Sequence, residues 1–277
     1  MGHLRDYQLG AIARARATIE RGCSAPLIVS PTGSGKTTIG AEVARLHVEM
    51  GGKVLWLAHR AELVEQAEDR LRAFGALATV TTVQALLAAT KRRSFVPPPA
   101  SLVVFDEAHH YVADEWGTLA GSFGEVVRVG LTATPERGDG RGLGAMFDAL
   151  VVAATIRDLT ALGHLAPLEV VGPSRRLDPG ELAMAPVDAY AKFCPGERAV
   201  VFARSIEEAH EHRDAFEDRG IDAEVVCGTS ATHDRFGALD RHQRGECPVL
   251  INAFLLTEGW DSPATSACIL ARGCRLG

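Results

Sequence analysis

Long uninterrupted hydrophobic runs are missing from this chain of 277 residues. No apolar run reaches the roughly 18 residues that a membrane-spanning helix needs. The first 20 residues mix charged and apolar side chains, and they lack the apolar centre, roughly 7 to 15 residues long, of a secretory signal peptide. We therefore expect a cytoplasmic protein without a transmembrane segment.

Paired cysteines are also missing, because the six cysteines are scattered without a Cys-x-x-Cys spacing. This scatter disfavours a structural zinc site or a disulfide framework, and it is typical of small buried side chains. There is no excess of positive charge, since the formal net charge is −6. The overall charge therefore does not favour binding to nucleic acid, and any nucleic-acid-binding site has to be a local groove.

Short apolar runs alternate with helix-length amphipathic stretches along the chain, which is 47% hydrophobic and 23% charged. This alternation predicts βαβ units around a parallel sheet. In the first half these runs are nearly continuous in apolar residues, as in strands that are buried on both faces. In the first half the predicted strands are Leu27–Ser30, Val54–Ala58, Ala78–Thr82, Leu102–Phe105 and Val126–Leu131.

The second half repeats this pattern. Ser205 followed by Glu208 predicts a capped helix from about Ile206 to Arg219. Proline and glycine between residues 157 and 186 interrupt the periodicity, which places a domain boundary near residue 163. We predict an α/β fold of two domains, residues 1–163 and 164–277. The predicted strands of the second domain are Leu168–Val171, Ala199–Ala203, Glu224–Cys227, Val249–Asn252 and Ala267–Leu270.

The strongest local motif is Ser30-Pro31-Thr32-Gly33-Ser34-Gly35-Lys36-Thr37, between an apolar strand and a helix. In such a loop the backbone N–H groups converge on phosphate and the glycines let the chain approach closely. The lysine neutralises charge, and the last hydroxyl binds Mg²⁺. Ser30 stands where the usual motif has glycine. The predicted nucleotide-binding set is Thr32, Gly33, Ser34, Gly35, Lys36, Thr37 and Thr38.

Two carboxylates follow an apolar strand in Asp106-Glu107-Ala108-His109-His110. A carboxylate at a strand end can hold the Mg²⁺ that bridges the terminal phosphates, and its neighbour can deprotonate a water. We predict that Asp106 and Thr37 hold Mg²⁺, that Glu107 is the general base, and that ATP with Mg²⁺ is the cofactor. The alternative, in which the carboxylates cap the next helix, is disfavoured by the phosphate loop upstream.

With these motifs the sequence resembles the superfamily 2 helicases and translocases of the DEAD/DEAH-box type, in the family's motif order and over nearly the whole chain. The resemblance implies two RecA-like domains that bind ATP in the cleft between them. Leu4-Arg5-Asp6-Tyr7-Gln8 looks like the adenine-reading motif, which implies that Gln8 reads the base and Arg5 assists. An ordinary N-terminal helix is the alternative for this short segment.

The resemblance also implies roles further along the chain. Leu131-Thr132-Ala133-Thr134-Pro135 matches the coupling motif, so Thr132 and Thr134 would connect the ATP carboxylates with the domain interface; a simple Thr-Pro turn is the alternative. Leu256-Thr257-Glu258-Gly259-Trp260-Asp261 resembles the fifth motif, so Gly259 and Asp261 would face nucleotide. The implied catalytic set is Lys36, Asp106, Glu107 and His109.

Nucleic acid is the partner that the resemblance implies. Arg60 follows Trp56-Leu57-Ala58-His59, which resembles a nucleic-acid-facing motif, and a solvated residue at a helix start is its alternative role. DNA is favoured over RNA because the DEAH-His form, with His110 following, looks most like that of DNA repair and restriction-type translocases. The predicted nucleic-acid contacts are Arg60, Thr82, Gln84, Arg204 and Thr257.

The sixth motif of the family, a Gln-x-x-Gly-Arg-x-x-Arg run, is missing from these 277 residues. The second domain is therefore expected to be truncated, and Arg272 and Arg275 lack the Gln and Gly context of that motif. Two functions stay open: an ATP-dependent DNA helicase or translocase, and an incomplete ATP and nucleic-acid binding module or subunit completed by a protein partner. A small-molecule kinase is disfavoured, because the second α/β half has no role there.

Overall fold

The structure is a computed structural model in which two compact units divide the chain, Met1–Leu168 and Glu169–Gly277. The predicted boundary near residue 163 lies inside the first unit. Among the described residues, no helix has the length and apolarity that a membrane crossing requires. The structure describes residues 4–59, 62–91, 96–111, 116–117, 119, 123, 125–136, 140, 142–175, 177–178, 181–228, 232–256 and 262–271.

Six parallel strands form the sheet of the first unit: β1 (Pro26–Val29), β2 (Val54–Ala58), β3 (Ala78–Thr82), β4 (Leu102–Phe105), β5 (Val127–Thr132) and β6 (Ala149–Val152). Their order across the sheet is β3-β2-β4-β5-β1-β6. The five strands predicted from the first half are confirmed within one residue at each end. Among the described residues, the helices of this unit include α1 (Asp6–Glu20), α2 (Lys36–Glu49), α3 (Glu62–Ala73), α4 (Val83–Thr90) and α5 (Ile156–Ala161).

Helix α2 packs closely on the sheet because Gly40 has no side chain. A Cβ atom at Gly40 would lie 2.5 Å from Leu131 Cδ1 and 2.6 Å from Trp56 Cη2, closer than carbon atoms approach. Leu131 and Trp56 are both fully buried on the face of the sheet that α2 covers. This contact fixes the start of α2 at the carboxyl edge of the strands, where ligands bind in open α/β sheets.

The second unit has a four-stranded parallel sheet of β7 (Ala199–Ala203), β8 (Ala223–Cys227), β9 (Val249–Ala253) and β10 (Ala267–Ala271), in the order β10-β7-β9-β8. Its helices are α6 (Pro186–Phe193), α7 (Ile206–Glu217) and α8 (Thr232–Arg244). The predicted capped helix is confirmed as α7, since Ser205 Oγ accepts a hydrogen bond from the Glu208 backbone N–H at 3.2 Å. Parallel sheets between helices confirm the α/β fold class.

One predicted strand is wrong. The segment Leu168–Val171 is irregular, and Leu168, Val170 and Val171 are 85%, 80% and 54% exposed. Its composition, with three apolar residues out of four, is typical of a strand, but Pro167 and Pro173 flank the segment and no described strand pairs with it. Conversely, β6 was not predicted from the sequence, because it is a short strand at the sheet edge that is only partly buried.

Candidate functional site

The predicted phosphate loop joins β1 to α2 at the carboxyl edge of the first sheet. Gly33 has φ of 77° and Gly35 has φ of 78°, the left-handed region that favours glycine. Lys36 is the first residue of α2 and is only 8% exposed. The loop therefore presents a helix N-terminus and a buried ammonium group, which together suit an anion such as phosphate.

The N-terminal motif holds this loop from one side. The Tyr7 hydroxyl and the Gln8 amide nitrogen both donate hydrogen bonds to the Ser34 carbonyl oxygen, at 2.5 and 3.0 Å. Gln8 Oε1 accepts from the Arg5 backbone N–H at 2.9 Å, so both ends of the Gln8 amide are engaged. Adenine reading by Gln8 and Arg5 stays a prediction. The loop contact of Tyr7 was not anticipated, although an aromatic residue beside Gln8 was visible in the sequence.

The two carboxylates lie at the end of β4, close to the phosphate loop. Lys36 Nζ is 3.4 Å from Glu107 Oε1, and the Thr37 hydroxyl is near enough to the Asp106 carboxylate to lower the pKa of Asp106. Glu107 has φ of 50°, a left-handed conformation that is uncommon outside glycine and often marks a functional site. Four residues that the sequence placed in one site are thus brought together by the fold.

The surroundings of Asp106 disfavour the negatively charged form of its carboxyl group. Burial, and then repulsion by Glu107, raise the pKa of Asp106 to about 7, although Lys36 and the Thr37 hydroxyl oppose the rise. A cation beside Asp106 would remove this penalty, and the hard oxygens of Asp106 and Thr37 fit Mg²⁺. The described residues contain no cluster of three His, Cys, Asp or Glu for a metal.

A short network leads from the carboxylates to the coupling motif. His109 Nδ1 lies 3.0 Å from Thr132 Oγ1 and 3.7 Å from Glu107 Oε2. Thr132 is fully buried at the end of β5, and its hydroxyl donates to the Thr134 carbonyl oxygen at 2.7 Å. The Thr132 carbonyl oxygen in turn accepts from the Ser30 backbone N–H at 2.9 Å. The coupling motif therefore contacts both the phosphate loop and His109.

The predicted nucleic-acid contacts are not assembled into one site by the described residues. Thr82 caps α4 by accepting from the Ala85 backbone N–H at 3.1 Å, and Gln84 is exposed in the first turn of that helix. Arg204 belongs to the second unit and forms an ion pair with Glu208. The predictions for Arg60, Thr257, Gly259, Asp261, Arg272 and Arg275 fall outside the described residues.

Comparison with known proteins finds similarity to a restriction-enzyme family and to a DNA translocase. Residues 1–79 and 76–137 match the family described as Type III restriction enzyme, res subunit. A 51.5 kDa protein of Lactococcus phage (isolate 7-9) is 29% identical over 265 residues, which cover 89% of this chain and 58% of that protein. XPB2 of Sulfurisphaera tokodaii, named a DNA 3'-5' translocase, is 30% identical over 150 residues, 50% of this chain and 32% of that protein.

A solved structure shares the fold over nearly the whole chain. The ATP-dependent Type ISP restriction-modification enzyme LlaBIII, bound to DNA, matches with a TM-score of 0.70 at 17% identity, over 98% of this chain and 26% of that one. At this identity the likeness shows a common fold. The chain spans less than two thirds of the length of the relatives named here.

Proposed function

Because this chain belongs to superfamily 2 of the helicases and translocases, in its restriction and repair branch, we propose that it is an ATP-driven motor that moves along DNA. One observation carries the proposal: a phosphate loop meets a carboxylate pair. Lys36 Nζ lies 3.4 Å from Glu107, and the Thr37 hydroxyl stabilises the charged form of Asp106. This arrangement suits phosphoryl transfer to water, because it combines a phosphate-binding loop, a carboxylate that favours a cation and a neighbouring general base.

We assign the roles in ATP hydrolysis as follows. Lys36 binds the terminal phosphates, Thr37 and Asp106 would hold Mg²⁺, and Glu107 accepts the proton of the attacking water. The water oxygen bonds to the γ-phosphorus while the bond to the β,γ-bridging oxygen breaks, which yields ADP and inorganic phosphate. Mg²⁺, when bound, neutralises charge on the terminal phosphates.

Coupling and nucleic-acid contacts complete the proposal. We propose that the network of His109, Thr132 and Thr134 responds to whether the γ-phosphate is bound, because His109 lies between Glu107 and Thr132. Gly259 and Asp261 would contact nucleotide from the second unit. DNA is proposed over RNA because XPB2 is named a DNA translocase and LlaBIII is described as bound to DNA. The cytoplasm remains the predicted compartment. The proposed DNA contacts are Arg60, Thr82, Gln84, Arg204 and Thr257.

The γ-phosphate also requires arginines in this family, and the 277 residues carry no Gln-x-x-Gly-Arg-x-x-Arg run. We propose that these arginines come from outside this polypeptide, either from further residues of a longer chain or from a protein partner. An arginine finger contributes about 10³ to 10⁵ in rate in other phosphate-hydrolysing enzymes. The polypeptide alone would then bind ATP and hydrolyse it slowly, which is the second candidate function.

ATP turnover tests these proposals. The full chain is assayed with Mg²⁺ alone and with single-stranded DNA, double-stranded DNA or RNA, and Glu107→Gln is the matched control because the amide keeps the shape without accepting a proton. DNA should stimulate turnover, and Glu107→Gln should retain ATP while losing about 100-fold or more in single-turnover rate. Equal stimulation by RNA would contradict the choice of DNA, and turnover within about twofold of the parent in Glu107→Gln would remove Glu107 as the base.

A further inference from the structure

Three histidine rings lie together at the carboxyl ends of β2 and β4. The rings of His59 and His110 are stacked, with centroids 4.1 Å apart and planes at 17°. The rings of His110 and His109 have centroids 4.1 Å apart and planes at 42°. Both ring nitrogens of His59 and Nε2 of His110 are buried. The three rings therefore hold one another in position inside the first unit.

One end of this row of rings lies near the proposed base, Glu107. His109 Nδ1 lies 3.0 Å from the Thr132 hydroxyl and 3.7 Å from Glu107 Oε2. A change in the position of the His110 ring therefore reaches the proposed base and the coupling threonine through one intermediate, His109. His110 itself is 3 residues beyond Glu107 and is one contact removed from it.

The other end reaches the segment where nucleic acid is proposed to bind. His59 directly precedes Arg60 and follows β2. The end of β2 is also attached to the Asp106–Tyr111 segment through its backbone, since the Leu57 carbonyl oxygen accepts from the Asp106 N–H at 3.0 Å and from the Tyr111 hydroxyl at 2.7 Å. A shift at the end of β2 would therefore be passed to the carboxylate segment both by backbone hydrogen bonds and by the stacked rings.

We propose that His59 and His110 form a positioning pair that couples DNA binding at the end of β2 to ATP binding at the end of β4. The inference rests on the proposed function, and it adds two residues that act through His109 rather than on the substrate. Packed rings transmit displacement because protein interiors are close-packed and compress little. The coupling is therefore carried by the flat shape of the His110 ring and its contact with His59.

The test measures binding on the full chain, so it does not depend on the rate of turnover. The dissociation constant of a fluorescent non-hydrolysable ATP analogue with Mg²⁺ is measured without DNA and with saturating oligothymidine. The ratio of the two constants is the coupling factor, and by linkage the analogue changes DNA affinity by the same factor. For the parent we expect a factor of about fivefold or more, within the usual range of coupling between sites.

Three variants and one control separate coupling from folding. In His110→Ala we expect the factor to fall to within about twofold of unity, with each affinity measured alone within about threefold of the parent. His110→Phe keeps a flat ring and should retain the factor, whereas His110→Asn keeps polarity without a ring and should lose it. The control is His47→Ala, because His47 contacts the Ser101 hydroxyl at 2.7 Å, at the amino ends of the same two strands.

The outcomes distinguish this inference from the proposed function. A parent that shows no coupling, or binds neither ligand, overturns both. A parent that couples while His110→Ala and His110→Asn couple equally well overturns only the positioning pair. A factor as low in His110→Phe as in His110→Ala overturns the stacking argument. If His110→Ala is not folded, as shown by the loss of a cooperative unfolding transition, the comparison of His110→Asn with His110→Phe tests the positioning pair instead. Loss of coupling in His110→Ala and retention in His110→Phe and His47→Ala supports the proposal.

Discussion

Lys36 is the residue on which we expect ATP binding to depend most directly. Its side chain is 8% exposed and its ammonium nitrogen lies 3.4 Å from Glu107 Oε1, so the protein already holds this group where we expect phosphate to bind. Charge-assisted hydrogen bonds contribute about 1.5 to 3 kcal/mol each. We therefore expect Lys36→Ala to weaken ATP binding by about tenfold or more, measured by calorimetry. The control is Lys53→Ala, at the start of β2, and unchanged affinity in Lys36→Ala would contradict the assignment.

Asp106 makes stability depend on pH in an unusual direction. Its pKa is raised from 3.8 to about 7, so the folded protein favours the neutral carboxyl and the stability this provides is lost as pH rises through about 7. Asp106→Asn keeps the neutral form at every pH. In EDTA the free energy of unfolding of the variant should rise relative to that of the parent by about 2 to 3 kcal/mol between pH 5 and pH 8.

Asp148 provides the opposite control for this measurement. Burial raises the pKa of Asp148, but hydrogen bonds from the backbone of Ser24 and Ala25 outweigh burial and hold that pKa below its ordinary value. Asp148→Asn should therefore lower stability at neutral pH, and the loss should shrink as pH falls through the lowered pKa. If Asp106→Asn and Asp148→Asn followed pH in the same direction, the account of Asp106 would be wrong.

At the scale of elements, the turn after β9 contains a strained residue. Phe254 has φ of 60° and is 63% exposed, while Asn252 Oδ1 accepts from the backbone N–H groups of Leu255 and Leu256 at 2.9 and 2.8 Å and so fixes the turn. A left-handed conformation costs about 1 to 2 kcal/mol for a residue with a Cβ atom.

Two substitutions isolate this cost. Phe254→Gly and Phe254→Ala both remove the ring, but only glycine removes the Cβ atom. We expect the glycine variant to be more stable than the alanine variant by about 1 kcal/mol in chemical denaturation, the reverse of the order at ordinary positions, where glycine is the less stable by about 0.5 to 1 kcal/mol. The ordinary order at Phe254 would show that the turn relaxes without strain.

The elements that could be predicted from the sequence are those whose signal is local. Central strands such as β2 and β4 are buried on both faces and read as apolar runs, and the phosphate loop is a contiguous motif. Leu168–Val171 is also largely apolar, with Glu169 as its one charged residue, but pairing with a neighbouring strand is a tertiary property that this composition does not determine. The partly buried edge strand β6 was missed for the same reason.

The features of the candidate functional site also divide into those that a local motif predicts and those that depend on tertiary structure. Lys36, Thr37, Asp106 and Glu107 were placed together because their motifs are contiguous and their strands parallel, so the strand ends meet at one edge. The stack of His59 on His110 joins two motifs across neighbouring strands, and the raised pKa of Asp106 depends on burial. Both features depend on the three-dimensional arrangement of residues that are distant in sequence, so neither could be predicted from the spacing within one motif.

At the scale of the whole molecule, the net charge of −6 opposes binding to a polyanion unless cations are concentrated in a groove. Arg60 and Arg204 are the basic residues among the proposed contacts, and each phosphate contact on a single strand contributes a slope of about −0.7 to a plot of log affinity against log salt. We therefore expect a slope of about −1.4 or steeper for single-stranded DNA, measured by fluorescence anisotropy with a non-hydrolysable ATP analogue present.

Two matched variants, Arg60→Ala and Arg72→Ala, distinguish the contribution of Arg60 to the salt dependence of DNA binding from the effect of net charge. Arg60→Ala should make the slope shallower by about 0.7 and weaken binding alike for different sequences, because phosphate contacts carry no sequence information. Arg72→Ala removes the same charge from α3, where Arg72 is paired with Asp69 at 2.6 Å and is 73% exposed, and it should leave the slope unchanged. Equal changes in both variants would assign the salt dependence to net charge rather than to a groove, and an affinity independent of salt would contradict a DNA motor.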